Sequence, residues 1–201
     1  MNNIVVVSGP SGCGKSTLIH RLLKRHDDLN FSVSHTTRQR RQREIEGKDY
    51  YFVSEPQFVE MIRQESFAEW ARVYAHYYGT TWEEIRAKST GNRTLVLDID
   101  TQGARQVKEK FPEALLIFIA PPSMKELERR LLHRERKVDE NIKIRLQQAR
   151  DELAEYKSYD YIIINDELDK AYAALSAVAS AFRHAAFRQQ EVVEKIIGRS
   201  P

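Results

Sequence analysis

The 201-residue sequence contains one cysteine, Cys13. No intrachain disulfide can form, and a disulfide-stapled scaffold is excluded. No apolar run approaches the roughly 20 residues that a membrane-spanning helix needs. The first residues read as a β-strand rather than a charged leader followed by an apolar core, so a cytoplasmic location is expected. With 8 glycines and 6 prolines there is no Gly/Pro-rich linker, and there is no internal repeat. Charge of one sign is also lacking. The 32 basic and 29 acidic residues leave a net +3, too little by itself to argue for a nucleic-acid partner. The 41% of hydrophobic residues suffices for one domain with a sizeable core.

What is present begins at residue 4. Ile4-Val5-Val6-Val7-Ser8 is a short β-branched run. It leads into Gly9, Pro10, Ser11, Gly12, Cys13, Gly14, Lys15, Ser16 and Thr17, which satisfies the pattern G-x-x-x-x-G-K-[ST]. Leu18, Ile19, Leu22 and Leu23 then fall on one helical face. A strand, a glycine-rich turn and a helix in that order aim backbone N–H groups and the positive helix end at one small volume. A nucleotide β-phosphate suits that volume. Lys15 adds a point charge, and the Ser16 hydroxyl suits a Mg²⁺ ligand. A plain strand–helix turn would explain the glycines but not the Lys-Ser pair. Cys13 reads as a small residue that the loop tolerates, although Lys15 and a helix N-terminus could acidify its thiol.

Apolar runs of strand length recur at 94–99, 114–119 and 161–164, with helical patterns at about 15–26, 101–110, 123–157 and 167–191. This alternation predicts an α/β fold, a parallel sheet flanked by helices. Two regions interrupt it. Residues 33–80 carry short alternating segments and one amphipathic stretch near 56–64, and read as an inserted β-rich subdomain. Residues 123–150 concentrate Arg129, Arg130, His133, Arg134, Arg136, Lys137, Lys143, Arg145 and Arg150. They read either as a solvated helical hairpin or as a lid bringing arginines over a phosphate. The core is then about 1–32, 81–122 and 151–201 of a single domain.

Ser34-His35-Thr36-Thr37-Arg38-Gln39-Arg40-Arg41 gathers hydroxyls and guanidiniums, and the guanidinium fork matches phosphate oxygens in pairs. Tyr50 and Tyr78 offer phenolic donors, so a second phosphate could be held here. A nucleic-acid patch or a solvated loop are the other readings. Glu69 lies in the apolar segment Phe67-Ala68-Glu69-Trp70-Ala71, where a carboxylate is costly unless paired. Guanine offers N1–H and N2–H₂ side by side to such a group. A surface pair with Arg72 or Arg63 is the plainer alternative. Thr80 could add a contact to the base. Asp98 and Asp100 follow the run Thr94–Leu97 and, two apart in extended chain, point to one side. They could order Mg²⁺ beside a phosphate loop, one of them could instead contact the acceptor's base, or they could merely shape a turn.

Together these stretches resemble the guanylate kinase family, over about residues 3–185. The resemblance rests on Ser8 to Thr17, Ser34-His35-Thr36-Thr37-Arg38, Glu44 to Gly47 with Asp49-Tyr50, Tyr78-Gly79-Thr80, Leu97-Asp98-Ile99-Asp100 with Gln102-Gly103, Pro121-Pro122-Ser123, and Tyr159-Asp160-Tyr161 to Asn165. It implies a P-loop kinase fold with an inserted nucleotide-monophosphate-binding subdomain and a helical lid. It implies transfer of the γ-phosphate of ATP to GMP, and to dGMP, with Mg²⁺. On this resemblance Gly9 to Thr17 bind ATP phosphates, with Arg130 and Arg134 from the lid and Asn165 near adenine. Ser34, Arg38, Arg41, Tyr50 and Tyr78 hold the acceptor phosphate, while Glu69, Thr80 and Asp100 read guanine. Asp98 joins Ser16 near Mg²⁺, and Lys15, Arg38, Arg134 and Arg145 act on the transferring group. The implied partners are small-molecule nucleotides, with no nucleic acid and no membrane; the motifs leave monomer and homo-oligomer undetermined.

The chain departs from the family pattern at Arg40 (usually proline), Arg43 (usually glycine), Ala75-His76 (usually Gly-Asn), Glu135 (usually glycine) and Arg136-Lys137 (usually Thr-Asp). These departures cluster near the acceptor phosphate and the lid. They suit either a more anionic acceptor or exposed loops that tolerate charge. Two other functions remain to be weighed: a related kinase for another small phosphate ester, and a catalytically inert binding module. The intact phosphate loop opposes the second, and Glu69 with Thr80 opposes the first.

Overall fold

A computed structural model describes residues 3–89, 93–135 and 140–198, with backbone alone at 134, 135, 140 and 141. The first sheet is parallel and ordered β2 (Leu29–Phe31), β7 (Thr94–Asp98), β1 (Ile4–Ser8), β8 (Leu115–Ala120), β9 (Tyr161–Ile164). Central strand β1 is buried at every position, which is why it reads as an unbroken apolar run. Val5 and Val7 face Leu18, Ile19 and Leu22 of α1 (Lys15–Leu23) and Leu175 of α7 (Leu168–Phe182). Ile4 and Val6 face Ile85 of α3 (Trp82–Lys88), with Ala104 and Val107 of α4 (Thr101–Lys110). Helices therefore cover both faces, as the strand–helix alternation predicts. Edge strand β2, three residues long, and α3 have no counterpart in the sequence reading. The last helix ends at Phe182 rather than running to 191, and α8 (Gln190–Ile196) follows separately.

A second sheet, β4 (Tyr51–Phe52), β3 (His35–Thr36), β6 (His76–Thr81) and β5 (Phe67–Val73), lies within the segment expected to be β-rich. The amphipathic stretch is α2 (Glu55–Arg63), started by a capping box between Ser54 and Gln57. Phe58 of α2 stacks on Phe67 at 4.4 Å and on Tyr77 at 5.4 Å. The highly charged stretch forms α5 (Met124–Glu135) and α6 (Glu140–Ala154). They pack through Leu127, Leu131 and Ala149.

Candidate active site

The phosphate loop is set by backbone. Gly14, which precedes α1, has φ +97°, a conformation that side chains resist. A Cβ there would also collide with the Asn165 amide beneath it. Asn165 Nδ2 donates to Cys13 O at 2.7 Å, so this residue holds the loop from below rather than lining the cavity above. Lys15 Nζ donates to Gly9 O at 2.6 Å and to Pro10 O at 3.4 Å, folded back over its own loop. Burial works against the Lys15 charge, but Cys13 and then the carboxylates of Asp98, Glu152 and Asp100 outweigh it and raise its pKa. Cys13 is fully buried, and burial pushes its thiol up, overriding the pull of Lys15. The small-residue reading of Cys13 holds, and an acidified thiol does not.

β7 lies beside β1 with Asp98 opposite Val7. The register puts Asp98 next to the loop, where Ser16 Oγ donates to its Oδ2 at 3.0 Å. Asp100, two residues on, caps α4 by accepting from Gly103 N at 2.8 Å. It also lines the cavity, so the turn and cavity readings both apply to it.

A cavity of about 500 Å³ connects this loop to the inserted sheet. Ser34, Arg38, Arg41, Tyr50, Tyr78 and Glu69 line it opposite Lys15. Arg38 is held by a two-pronged pair with Glu44 at 2.8 and 3.0 Å and lies over the Tyr50 ring at 5.4 Å. Burial raises the Tyr50 phenol, keeping it a donor at neutral pH. Thr80 is fully buried behind this wall, its hydroxyl bonded to Ser34 Oγ at 3.0 Å. Arg40 and Arg43 are exposed and do not line the cavity.

Glu69 owes its direction to an irregularity. Pairing between β5 and β6 shifts register between Phe67 and Glu69, leaving Ala68 extra. Without this bulge, Phe67 and Glu69 would share a face. With it, Phe67, Trp70 and Arg72 lie toward Phe58 and Tyr77, and Glu69 turns to the cavity. The alternative surface pairs for Glu69 are thereby removed: Arg72 lies over the Tyr77 ring and Arg63 pairs with Glu60. Glu69 is 2% exposed, and its Oε1 has no hydrogen-bond partner among the described residues. Burial pushes its pKa up to about 7, against the opposing pull of Thr80.

From α5, Arg130 NH2 donates to Asn165 O at 3.0 Å while its Nε pairs with Glu126 at 2.8 Å. Arg145 NH2 donates to Ser11 Oγ at 3.0 Å. Both arginines line the cavity. The Arg134 side chain lies outside the described residues, as do those of Glu135, Arg136 and Lys137. Val73, Tyr74 and Glu152 line the cavity and escaped the sequence reading; Glu152 lies seven residues after Arg145 on α6 and faces Lys15. Burial pushes it up to about 7, with Lys15 pulling down and Asp100, Glu155 and Asp151 pushing further. The i, i+7 spacing from Arg145, which places both on one helical face, was the available signal.

A cleft with a phosphate loop on one wall, and arginines, tyrosines and a buried carboxylate with one oxygen unpartnered among the described residues on the other, can hold two phosphorylated molecules face to face. Comparison with known proteins agrees. The family model described as guanylate kinase matches residues 1–182. A guanylate kinase of Caldanaerobacter subterraneus subsp. tengcongensis is 44% identical, over 96% of this chain and 94% of its own. One from Shewanella sp. (strain MR-7) is 48% identical, over 90% and 88%. The crystal structure of guanylate kinase from Anaplasma phagocytophilum superposes with TM-score 0.77 at 31% identity, covering 95% of this chain and 92% of that one. With the match running through both walls of the cleft, the chain belongs to the guanylate kinase family.

Proposed function

We propose that the chain transfers the γ-phosphoryl group of ATP to GMP or dGMP, giving ADP and the nucleoside diphosphate. The observation that carries this reading is Glu69, a buried carboxylate whose Oε1 lacks a partner among the described residues and which lines the wall opposite Lys15. Guanine N1–H and N2–H₂ would satisfy it. Adenine, with an acceptor at N1, would leave a buried charge unpaired, which is how such sites discriminate strongly. Thr80 acts from behind, fixing Ser34 and bonding the Glu69 carboxylate.

The acceptor phosphate meets Arg38, Arg41, Tyr50, Tyr78 and Ser34. The donor phosphates meet the backbone from Gly9 to Thr17. Lys15 exchanges its bonds to Gly9 O and Pro10 O for phosphate oxygens. The acceptor's phosphate oxygen attacks the γ-phosphorus in line, so no side chain need act as nucleophile. Lys15, Arg38 and Arg145 stabilise the charge on the transferring group, with Arg134 assigned the same part by the family resemblance. Ser16 Oγ and Asp98 Oδ2 are hard oxygen donors 3.0 Å apart, a donor set that fits Mg²⁺. When bound, that ion neutralises charge on the donor phosphates. Residues 33–80 and 123–150 are the parts that close to exclude water, Arg130 and Arg145 linking the second to the loop. Asn165, under the loop, holds the floor of the donor site. A cytoplasmic location accords with substrates of this kind.

A coupled ADP-release assay with ATP, Mg²⁺ and each of GMP, dGMP, AMP, CMP, UMP and ribose bisphosphate tests the reading. Turnover with GMP and dGMP alone is expected. Turnover only with another acceptor would move the chain to a sister activity, and silence with all would favour a binding module.

A further inference from the structure

We propose that Gly103 determines acceptor specificity, because the absence of a side chain there lets Glu69 keep its carboxylate where a guanine edge can use both oxygens. The inference rests on the guanine-binding role proposed for Glu69. Gly103 is buried in the first turn of α4. A methyl group on its Cα would overlap Glu69 Oε2, and would lie 3.2 Å from Glu69 Cδ and 3.3 Å from Asp100 Oδ1. The backbone does not ask for glycine here, since Gly103 is absent from the positive-φ residues. Glycine is also a poor helix former, so on local grounds alanine would be preferred. The empty space is what the position supplies.

Neither element can retreat from an added methyl group. Gly103 N–H is bonded to Asp100 Oδ1 at 2.8 Å. Gln106, one turn along α4, clasps β5 through Trp70 N at 3.2 Å and Trp70 O at 2.7 Å. Lys110, a turn further, donates to Ala68 O at 2.5 Å. Helix and bulged strand are therefore stitched together on both sides of Glu69. A side chain at 103 drives the carboxylate itself from its place and toward the cavity that the base would enter.

Guanine differs from hypoxanthine only by the exocyclic amine, so GMP against IMP reports whether the second oxygen is still in position. Steady-state kinetics of wild type and Gly103→Ala with each acceptor, at saturating ATP, make the test. The GMP-over-IMP ratio of kcat/KM in the variant should fall by about tenfold or more, mostly through the KM for GMP. The KM for ATP should not change. In a Glu69→Gln background the same substitution should leave the ratio unaltered, because the two positions act as one unit. If Gly103→Ala loses stability, Glu69→Ala should restore it by vacating the space. An unchanged GMP-over-IMP ratio in a folded Gly103→Ala variant would overturn the inference, as would a stability loss that Glu69→Ala does not relieve. Failure of the wild type to prefer GMP over adenine and pyrimidine monophosphates would instead overturn the guanine reading on which the inference stands.

Discussion

The two walls of the cleft are built on different principles. The phosphate-loop wall is mostly backbone: a glycine-rich turn in one conformation, locked from below by Asn165 onto Cys13 O and placed beside Asp98 by strand register. The inserted-sheet wall is mostly side chains. Arg38, Tyr50, Tyr78 and Glu69 come from separate segments; Glu44 aims Arg38 and a bulge aims Glu69. The first wall can recognise any nucleotide phosphate. On the proposed reading the second carries the power to choose, and Arg40, Arg43 and His76, three of the departures from the pattern that the resemblance implies, lie in the same inserted segment.

The largest effect should come from the first wall. Lys15→Ala is expected to lower kcat by about 10²–10³-fold or more, the scale of losing a preorganised charge at the transition state, with far-UV circular dichroism unchanged. Near-normal turnover would remove Lys15 from the chemistry. The second wall should show its separateness through pH. Burial raises the Glu69 carboxyl to about 7, so it gains a proton as pH falls through that value. Its two-acceptor form is then lost. The KM for GMP should therefore rise by about tenfold per unit below pH 7, while Glu69→Gln flattens this limb. A wild-type profile flat from pH 8 to 6 would sink that assignment.

A smaller effect should connect the walls. Glu152, also raised to about 7 by burial, sets a carboxylate against Lys15 and the incoming phosphates once pH exceeds that value. Glu152→Gln should tighten ATP binding by about threefold at pH 8 and leave it unchanged at pH 6, measured by calorimetric titration. Equal affinities at pH 8 would show that the carboxylate does not oppose the triphosphate. The smallest effect is expected at the departures: Arg40→Ala and Arg43→Ala, both exposed and outside the cavity, should keep the KM for GMP within about twofold. A larger change would mean that the added arginines reach the acceptor.

The same contrast governs what the sequence makes legible. The loop, β1 and α1 are contiguous, so their period and glycines announce them, and the strands flanking β1 follow from apolar runs. β2 escapes because three edge residues, only Leu29 of them buried, leave no pattern. On the second wall, residue types pointed to phosphate and base chemistry, but the bulge that turns Glu69 inward leaves no local signature. Glu152 was hidden just beyond the charged stretch 123–150, in residues assigned to the core, although its helix packs a buried seam through Ala149. The helical glycine at 103 is visible in sequence, whereas the carboxylate it accommodates lies 34 positions earlier and is brought there only by the packing of α4 on β5.

The most direct test of the division between the walls is calorimetric titration of GMP and of ATP into wild type and Glu69→Gln at pH 8. The account predicts that the substitution weakens GMP by about 10–100-fold, the cost of a lost charged hydrogen-bond pair, and leaves ATP unchanged. Undiminished GMP binding, or an equal loss for both nucleotides, would contradict it.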